Sequence, residues 1–365
     1  KILLVTASFY PGNSPRALRA TELAKEFSRL GHKVSVLTPV KSDSLISFAQ
    51  KHRIELINLG SKDWKDIPTN GSFSMIKRAI RRILLMLFEY PQIQYLFVVK
   101  SKLKNLVGYD LMISNAVPYP VHWGVAFART KKHPIAKTWV ADCGDPYMLL
   151  RYDNFPKLFY FKYLEKYFSR KADWITIPRI SMLPNYYPEF HPKIKAIPQG
   201  FNFEETPIEN YIPNEVPTFA FAGTFLHKVR NPFDLLNTLS KWQKPFKFVV
   251  YTQDTSLLDD FQDILKEKLE IRKPIPRTEL IAELSKMDFL VNIGYDPVNQ
   301  MPSKLIDYYI TKRPIFNYNM EDFDPLKVQE FLSGNYQTAL LMPSVDEYDI
   351  RKVAKRFLDL QNETI

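Results

Sequence analysis

The sequence predicts an α/β protein with two domains, each built on a parallel sheet with helices on both faces. Short apolar runs that suit buried strands alternate along the chain with stretches of helical periodicity. The 365 residues, 45% of them hydrophobic, are enough to bury two cores of ordinary size. The composition changes over residues 194–217, which are rich in Pro, Glu and Asn, so we expect the domain boundary there.

The first domain opens with a strand over Ile2–Ala7, a helix over Arg16–Leu30 and a strand over Lys33–Thr38. Apolar residues recur every three or four positions in the helix, and Gly31 follows it as a stop signal. This βαβ unit predicts a Rossmann-like domain. The first loop carries Gly12 as its sole glycine, which argues against the glycine-rich fingerprint of a dinucleotide cofactor. Further strands of this domain are expected at Ile54–Leu59, Asp110–Ser114, Ala136–Ala141 and Trp174–Pro178.

A second Rossmann-like series follows the boundary, and it ends in a helix over Asp349–Gln361. This last helix either packs on its own domain or crosses back to the first. We therefore expect an N-terminal domain of residues 1–195, a C-terminal domain of residues 196–345 and a terminal helix within residues 346–365. The strands of the second domain are expected at Thr218–Ala222, Phe246–Tyr251, Asp288–Ile293, Arg313–Asn317 and Thr338–Met342.

The charge divides unevenly between the two halves. Residues 1–200 contain 31 basic and 14 acidic residues, a net charge of +17, whereas the remainder contains 19 and 25, a net charge of −6. A uniformly basic chain would favour nucleic acid, but this asymmetry indicates two surfaces with different partners. We expect the first half to face an anionic partner and expect no nucleic-acid partner.

Cys143 is the single cysteine, so a disulfide within the chain and a thiolate zinc site are excluded. A reducing compartment is the simpler expectation, which predicts a cytoplasmic protein. The opening apolar run, Ile2–Val5, is too short for a signal peptide or a membrane span. We interpret it as the first core strand.

Residues 300–309 form the most informative stretch, because they follow one expected strand and precede another. Pro302 suits the first turn of a helix, so free backbone N–H groups and the positive end of a helix dipole would lie at the carboxyl edge of the sheet. Such a place binds an anion, and Lys304 adds a fixed charge. One turn further on, Asp307 offers a carboxylate that accepts hydrogen bonds from sugar hydroxyls. The stretch predicts a site that holds phosphate and ribose together.

A second basic loop follows the first strand of the second domain. Gly223 and Thr224 form a turn, and the loop that carries Lys228 and Arg230 leads into a helix. A guanidinium can hold a phosphate at two of its oxygens, so Arg230 is the preferred ligand for a diphosphate. The alternative is a solvated loop without a ligand.

These stretches, together with the opening strand, loop and helix, resemble the retaining glycosyltransferases of the GT-B fold, in the large family four of nucleotide-sugar-dependent enzymes. The resemblance covers nearly the whole chain. It implies an α/β protein with the GT-B fold, in which two Rossmann-like domains face each other across a cleft. It also implies transfer of a hexosyl group from a nucleoside diphosphate sugar, linked to UDP or GDP, with retained anomeric configuration and no obligatory metal or cofactor.

The resemblance also implies the donor-binding residues, with two departures from the family pattern. Thr224 stands where the family has an Arg that helps to hold the diphosphate, and Lys228 is the candidate to compensate. Asn299 stands where the family has the first of two glutamates, while Asp307 keeps a carboxylate at the second, the ribose ligand. The full expected donor set is Gly223, Thr224, Lys228, Arg230, Ile275 in the base pocket, Asn299, Ser303, Lys304 and Asp307.

On the acceptor side, the stretch Trp139 to Tyr147 looks like an Asp-x-x-Asp-Pro-aromatic segment of one branch of the family. Asp142 or Asp145 would take or orient the acceptor hydroxyl proton, or else they serve as a helix cap and a turn residue. With Arg230 and Lys304 stabilising the leaving diphosphate, these two acids complete the expected catalytic set. The expected acceptor-binding residues are Gly12, Asn13, Arg16, His122 and Tyr147. For His122 a structural role is an equal alternative, and we interpret Arg19 as an exposed helix charge.

Residues 75–88 predict a helix with apolar residues on one face and four basic residues on the other. One interpretation is a helix that rests on an anionic membrane surface, at the inner face of a membrane. The other is a core-facing helix whose basic face is solvated. The charge of the first half favours the membrane interpretation.

The favoured function is therefore a glycosyltransferase whose acceptor is a saccharide or a lipid-linked saccharide, acting in bacterial surface polysaccharide synthesis. A sugar-nucleotide epimerase of the same fold is one alternative, since it would share the donor site and need no acceptor. A nucleotide-sugar-binding protein with impaired catalysis is another, motivated by Thr224 and Asn299. The nucleobase, the sugar and the linkage are left open by the sequence.

Overall fold

The computed structural model describes residues 1–12, 14–60, 64, 66–68, 74–149, 157–204, 208–227, 230–294, 303–341 and 345–363. The chain forms two compact units. Unit 1 comprises Lys1–Phe201 together with Glu347–Ile365, and unit 2 comprises Asn202–Asp346. The boundary thus follows Phe201, whereas the sequence placed it after residue 195.

Unit 1 is built on a parallel sheet in which seven strands lie in the order β3-β2-β1-β4-β5-β6-β7. The order reverses between β1 and β4, and loops that follow these two strands therefore leave the sheet on either side of a crevice. Ligands of doubly wound sheets bind at this point, outside the carboxyl ends of the strands. The strands are β1 Ile2–Thr6, β2 Val34–Thr38, β3 Ile54–Asn58, β4 Tyr109–Asn115, β5 Ala136–Asp142, β6 Trp174–Ile177 and β7 Ile194–Ala196.

The first helix shows how local sequence sets the element boundaries in unit 1. Ser14 caps the helix by accepting a hydrogen bond from the backbone of Ala17, and Pro15 occupies the first turn, where its missing N–H costs nothing. Gly31 follows with a φ of 86°, a conformation that favours glycine. The helices of unit 1 are α1 Pro15–Arg29, α2 Asp43–Lys51, α3 Ser74–Phe88, α4 Gln94–Leu103, α5 Pro120–Ala128, α6 Phe161–Lys171 and α12 Ile350–Asp359.

Unit 2 contains a second parallel sheet, with five strands in the order β10-β9-β8-β11-β12. Here the order reverses between β8 and β11, which marks the carboxyl ends of these strands as the expected ligand site. The strands are β8 Thr218–Ala222, β9 Lys247–Tyr251, β10 Leu269–Arg272, β11 Phe289–Ile293 and β12 Ile315–Tyr318. The helices are α7 Phe233–Ser240, α8 Asp259–Leu265, α9 Arg277–Ser285, α10 Ser303–Ile310 and α11 Pro325–Leu332.

The strands expected from the sequence are present with small shifts at their ends, with one exception. The strand expected at Thr338–Met342 is absent over its described part, residues 338–341, where the chain is irregular. One backbone hydrogen bond of 2.9 Å, from Leu340 to Ile315, is what links this segment to β12. Strands β7 and β10 were missed, because each is short and lies in a polar or proline-rich context.

The terminal helix α12 belongs to unit 1. Val353 and Phe357 are buried in the same core as residues of α1, and the indole Nε1 of Trp174 donates a 2.9 Å hydrogen bond to the carbonyl of Leu360. The chain therefore leaves unit 1, forms unit 2 and returns. No described helix has the length and apolar character that a membrane crossing requires.

Candidate functional site

A pocket of about 250 Å³ lies in unit 2 at the carboxyl ends of β8, β9 and β10. Its walls come from the loops that follow these strands and from α9 and α10, so it borders the carboxyl end of β8, one of the two strands between which the order reverses. Four residues expected from the sequence to bind the donor meet here, namely Gly223, Thr224, Ile275 and Asp307. The remaining lining residues are Ala222, Tyr251, Thr252, Gln253, Pro274, Leu280, Leu284 and Tyr308.

Gly223 directly follows β8 and has a φ of 140°, a backbone conformation that L side chains rarely adopt. Its N–H donates a 2.9 Å hydrogen bond to the carbonyl of Tyr251 at the end of β9. A Cβ at this position would meet nothing closer than Phe221 at 3.6 Å, so backbone conformation rather than space requires the glycine. The turn exposes Thr224 at the mouth of the pocket.

Asp307 points from α10 toward the pocket and pairs with Arg277, the first residue of α9. Its Oδ1 atom accepts hydrogen bonds from Nε and Nη2 of Arg277, at 2.9 and 2.5 Å. Burial raises the pKa of Asp307, and Arg277 opposes part of that shift. Both hydrogen bonds from Arg277 reach Oδ1. The other oxygen, Oδ2, can therefore accept a hydrogen bond from a ligand hydroxyl.

Tyr308, in the second half of α10, ties this helix to the end of β8. Its hydroxyl accepts a 2.8 Å hydrogen bond from the backbone N–H of Ala222, and its side chain is 1% exposed. Asp307 precedes Tyr308 in the same helix. The hydrogen bond from Ala222 therefore helps to fix the position of Asp307 relative to the end of β8. Tyr308 is therefore a positioning residue of the pocket.

The basic loop after Thr224 closes on itself through Leu226 and Arg230, whose backbones exchange hydrogen bonds of 3.2 and 2.8 Å. The Arg230 side chain is partly exposed and makes no hydrogen bond or ion pair with another described residue. It does not line the pocket. Lys228 and Asn299 lie outside the described residues, as do the side chains of Ser303 and Lys304, which open α10.

In unit 1, Asp142 ends β5 as a fully buried carboxylate, 0% exposed. Nε and Nη2 of Arg19 donate to its two oxygens at 2.6 and 2.8 Å, and the Thr176 hydroxyl donates at 2.8 Å. Burial alone would raise the pKa of Asp142, but Arg19 and Arg16 outweigh it, so the pKa is lowered. A carboxylate that is enclosed and a weak base does not fit the expected role in taking the acceptor's proton.

The interpretation of Arg19 as an exposed helix charge is wrong. Its side chain is 1% exposed, and besides Asp142 it binds the carbonyls of Pro198 and Ile197 at 2.5 and 3.0 Å. Its guanidinium also lies 5.3 Å from the ring centre of Phe357 in α12. Arg19 thus joins α1, β5, the segment after β7 and the terminal helix into one buried network.

Arg16 packs against Gly144, the residue that precedes Asp145. The Nη1 atom of Arg16 is 3.4 Å from Oδ2 of Asp142, and its guanidinium covers Gly144 so closely that a Cβ there would stand 2.7 Å from Cζ. Asp145 is exposed, and its carboxylate makes no hydrogen bond or ion pair with another described residue. The Asp145 carboxylate is thus open to a ligand at the edge of the unit 1 sheet, and Arg16 borders it with a side chain that is 17% exposed and paired with Asp142.

Two of the expected acceptor contacts are buried instead. His122 is 0% exposed; its Nδ1 lies 2.7 Å from the Ser114 hydroxyl, and burial lowers its pKa to about 3. Tyr147 is 5% exposed, and its hydroxyl donates a 2.9 Å hydrogen bond to Glu89. Neither side chain offers a free polar atom to an acceptor, so the structure does not support these two assignments. They are core residues that shape the segment around Asp145.

Gly12 is exposed and lines a second pocket, of about 290 Å³, next to the starts of α1 and α2. A Cβ at Gly12 would approach the carbonyl oxygen of Phe9 to 2.9 Å and Cβ of Ala17 to 3.0 Å, so the loop needs glycine for its close turn. Asn13 lies outside the described residues. In the described part of the chain, no group of three or more His, Cys, Asp or Glu residues is arranged to hold a metal ion.

Solved structures with the same architecture are glycosyltransferases. One from Rickettsia africae is 14% identical, with 99% of this chain and 97% of that chain covered at a TM-score of 0.62. HepE from Anabaena in complex with UDP is 9% identical, with 99% of both chains covered at a TM-score of 0.59. TarM from S. aureus is 12% identical, with 100% of both chains covered at a TM-score of 0.58. The chain has the GT-B fold.

The predicted α/β fold class, GT-B with two Rossmann-like domains, is thereby confirmed. No protein-family model matches the chain, and no curated protein does. Identities of this size establish the fold alone.

The sequence interpretation missed Tyr308, which lines the unit 2 pocket, and Arg277, which pairs with the pocket residue Asp307. A signal for Arg277 was present, because a cation at the first position of a helix opposes the helix dipole and needs a local partner. Here the partner is Asp307. Tyr308 gave no such signal, since a tyrosine on the buried face of a helix is ordinarily a core residue.

Proposed function

We propose that the chain is a glycosyltransferase that moves a hexosyl group from a nucleoside diphosphate sugar to a saccharide or lipid-linked acceptor. The observation that carries the proposal is the unit 2 pocket, where Gly223, Thr224, Ile275 and Asp307 meet at the strand ends of a GT-B fold. The loop from Ile275 would receive the base, and Asp307 would accept hydrogen bonds from the ribose hydroxyls.

The diphosphate would lie beside the loop of Arg230 and the start of α10. A helix N-terminus with Lys304 in its first turn suits the charge that develops on a leaving diphosphate. Arg230, which has no ion pair to a described residue, would hold the same group through two donors. Lys228, Asn299 and Ser303 complete the proposed donor set.

The donor is proposed to be a UDP-sugar rather than a GDP-sugar. HepE was solved with UDP, with UDP-glucose, and with UDP and glucose, and TarM was solved with UDP and a sugar-bearing glycerol. The proposal includes retention of anomeric configuration without a metal, which follows from the resemblance of the motifs. The leaving phosphate would then assist in removing the acceptor proton, so no side chain needs to act as a nucleophile.

In unit 1, Asp145 is the proposed acid that orients or deprotonates the acceptor hydroxyl, and Arg16 is the proposed contact for an anionic acceptor group. Gly12 and Asn13 would border the acceptor. WaaB, another neighbour of this chain, is a lipopolysaccharide outer core galactosyltransferase, which supports a proposed role in bacterial surface polysaccharide synthesis.

The donor site predicts two losses of affinity that titration calorimetry with UDP measures. Asp307→Asn and Arg230→Ala should each weaken UDP binding by about 10- to 100-fold, because each removes a charge-assisted hydrogen bond. The exposed residues Asp260 and Lys244 in the same unit provide the controls Asp260→Asn and Lys244→Ala, which should bind UDP like the parent. Unchanged affinity in both site variants would refute the donor assignment, and preferential binding of GDP would refute the choice of base.

Asp145→Asn should lower the turnover of UDP-sugar and leave the affinity for UDP unchanged, because its exposed carboxylate belongs to the other unit. Radiolabelled sugar transfer to membrane or polysaccharide extracts gives the rate. Full activity of the variant would remove Asp145 from the mechanism. A rearranged nucleotide sugar formed with donor alone would establish the epimerase instead, and binding without any turnover would establish a binding protein.

A further inference from the structure

An apolar cavity of about 820 Å³ opens in unit 1 beside the C-terminal end of α3. Leu87 and Phe88 of α3 form one wall, and Phe161 and Leu164 of α6 form another. Aromatic rings surround it, with Trp64 stacked on Tyr90 at 5.8 Å between ring centres. The remaining lining residues are Ile93, Phe97 and Tyr160.

Helix α3 carries an apolar face that the described residues leave exposed. None of its fifteen residues is buried, which contradicts the alternative of a core-facing helix. Ile76, Ile80 and Ile83, which follow one another along one face, are 56%, 45% and 49% exposed. A continuous row of exposed isoleucines is typical of a surface that binds an apolar partner.

The opposite face of α3 is cationic. Lys77, Arg78, Arg81 and Arg82 lie there, and residues 74–88 contain no Asp or Glu. Arg81 pairs with Asp66 at 2.7 Å, and both side chains are about half exposed. An apolar face joined to a basic face is the pattern of a helix that lies in the interface of an anionic bilayer.

Exposed aromatic side chains continue this surface beyond α3. Phe97, Phe159 and Tyr163 are 54%, 70% and 59% exposed, and Lys162 lies 5.0 Å from the ring of Tyr163. Aromatic rings with lysines beside them are typical of the headgroup level of a membrane, where the ring is apolar at one end and wet at the other. A second copy of the chain is a poor occupant, because a two-fold contact would bring two sets of four cations together.

We propose that unit 1 binds a bilayer rich in anionic phospholipid, with α3 in the interface and one acyl chain in the cavity beside Trp64. The basic face meets the lipid phosphates, and the row of isoleucines enters the acyl region. The inference stands apart from the proposed donor chemistry, which belongs to unit 2.

Flotation of the full chain with vesicles tests the docking surface. Vesicles of phosphatidylcholine with phosphatidylglycerol should retain the protein at low salt, and vesicles of phosphatidylcholine alone should retain far less. Ile80→Asp with Ile83→Asp should abolish flotation. The matched pair Ile212→Asp with Leu341→Asp, at apolar positions of unit 2 that are 77% and 92% exposed, should float like the parent.

The basic face gives a graded second readout. Replacing Arg78 and Arg82 by Ala should lower the partition coefficient about fivefold for each charge removed. Lys131→Ala with Lys132→Ala removes two exposed charges elsewhere in unit 1 and should leave partitioning unchanged. Unchanged UDP affinity in every variant would show that the fold survives, so a failed docking proposal is distinguishable from a failed donor proposal.

Occupation of the cavity is tested by fluorescence quenching with brominated phosphatidylglycerol. Trp64 lines the cavity and is 40% exposed, whereas Trp123, Trp139 and Trp174 are at most 3% exposed. The fifth tryptophan, Trp242, is partly exposed but belongs to unit 2, outside the proposed docking surface. Quenching should therefore be strong in the parent and absent in Trp64→Phe. Equal flotation with both kinds of vesicle, or none, would overturn the docking surface, and flotation without quenching of Trp64 would overturn the place of the acyl chain.

Discussion

Asp142 and Glu165 are both buried carboxylates of unit 1, and their surroundings have opposite effects on them. Asp142 meets two guanidinium groups, which lower its pKa despite burial. Glu165 is 3% exposed, and burial raises its pKa to about 7, although the backbone of Met148 and of Tyr147 opposes that shift. Its Oε2 atom has no hydrogen-bond partner among the described residues. Glu165 is thus a neutral or partly ionised acid at physiological pH.

The raised pKa of Glu165 predicts that the protein becomes less stable as pH rises from about 4.5 to about 7 through this one group. In that window the folded state holds a proton that the unfolded state has released, so ionisation opposes folding. Relative to Glu165→Gln, the parent should lose about 3 kcal/mol of unfolding free energy across the window. Urea unfolding of both proteins at several pH values measures the difference.

The comparison with Glu165→Gln is needed because His122 acts in the opposite direction. Its pKa, lowered to about 3 by burial, makes the fold lose stability as pH falls below about 6.5. Glu267→Gln, which removes an exposed carboxylate of unit 2, is the control for the substitution itself. A constant difference between Glu165→Gln and the parent would contradict the assignment.

The burial of individual side chains was the hardest property to predict from the sequence. Arg19 and Arg16 are one helical turn apart, and a sequence alone does not tell which of them turns inward. The structure buries Arg19 against Asp142 and leaves Arg16 partly exposed over Gly144. His122 shows the same difficulty, since a histidine at a helix start near the strand ends suits either a ligand or the core.

At the scale of elements, the successful predictions rest on residues that start or stop a helix through local backbone preferences. Ser14, Pro15 and Gly31 bound α1 by their own backbone preferences, which act without tertiary contacts. The strand, loop and helix order around α10 was likewise readable from apolar runs and from Pro302. The pocket that α10 borders could be placed at a sheet edge for the same reason.

The elements that failed are those whose state depends on neighbours distant in sequence. β7 has three residues, and it forms because Ile194 and Lys195 pair with Ile175 and Thr176 of β6. Residues 338–341 have the apolar and β-branched composition of a strand, yet they make little contact with the edge strand β12. Strand formation requires a partner, and composition does not supply one.

At the scale of the whole molecule, both connections between the units pass through one point of unit 1. The N–H of Phe201 donates to the carbonyl of Tyr348 at 2.8 Å, and the N–H of Ile350 donates to the carbonyl of Phe201 at 2.9 Å. Gly200 permits this approach, because a Cβ there would stand 2.5 Å from Cδ1 and 3.2 Å from Cα of Ile350.

Gly200→Ala should therefore destabilise unit 1 by about 1–3 kcal/mol, through overpacking against the start of α12. Urea unfolding followed by tryptophan fluorescence gives the change in midpoint. Ile350→Val removes Cδ1, the atom that the new methyl group meets first, so the double variant should lose less than the sum of the two single losses. Additive losses, or no loss in Gly200→Ala, would show that the chain relaxes around this point.

The number of units could be predicted from the sequence, but which segments belong to each unit could not. Hydrophobic periodicity and the change of composition near residue 200 predicted two Rossmann-like units, because each unit needs its own core. The return of α12 to unit 1 was left open as one of two choices, since an amphipathic helix packs equally well on either core until the packing partners are known. Here the partners are Arg19, Trp174 and the segment around Gly200.

The return of α12 has a consequence for biosynthesis. A ribosome makes residues 1–201 first, but Phe357 and Leu360, which fill part of the core of unit 1, emerge after the whole of unit 2. During synthesis, the core of unit 1 therefore lacks the side chains of α12 while unit 2 is made. This core can be completed once α12 has left the exit tunnel.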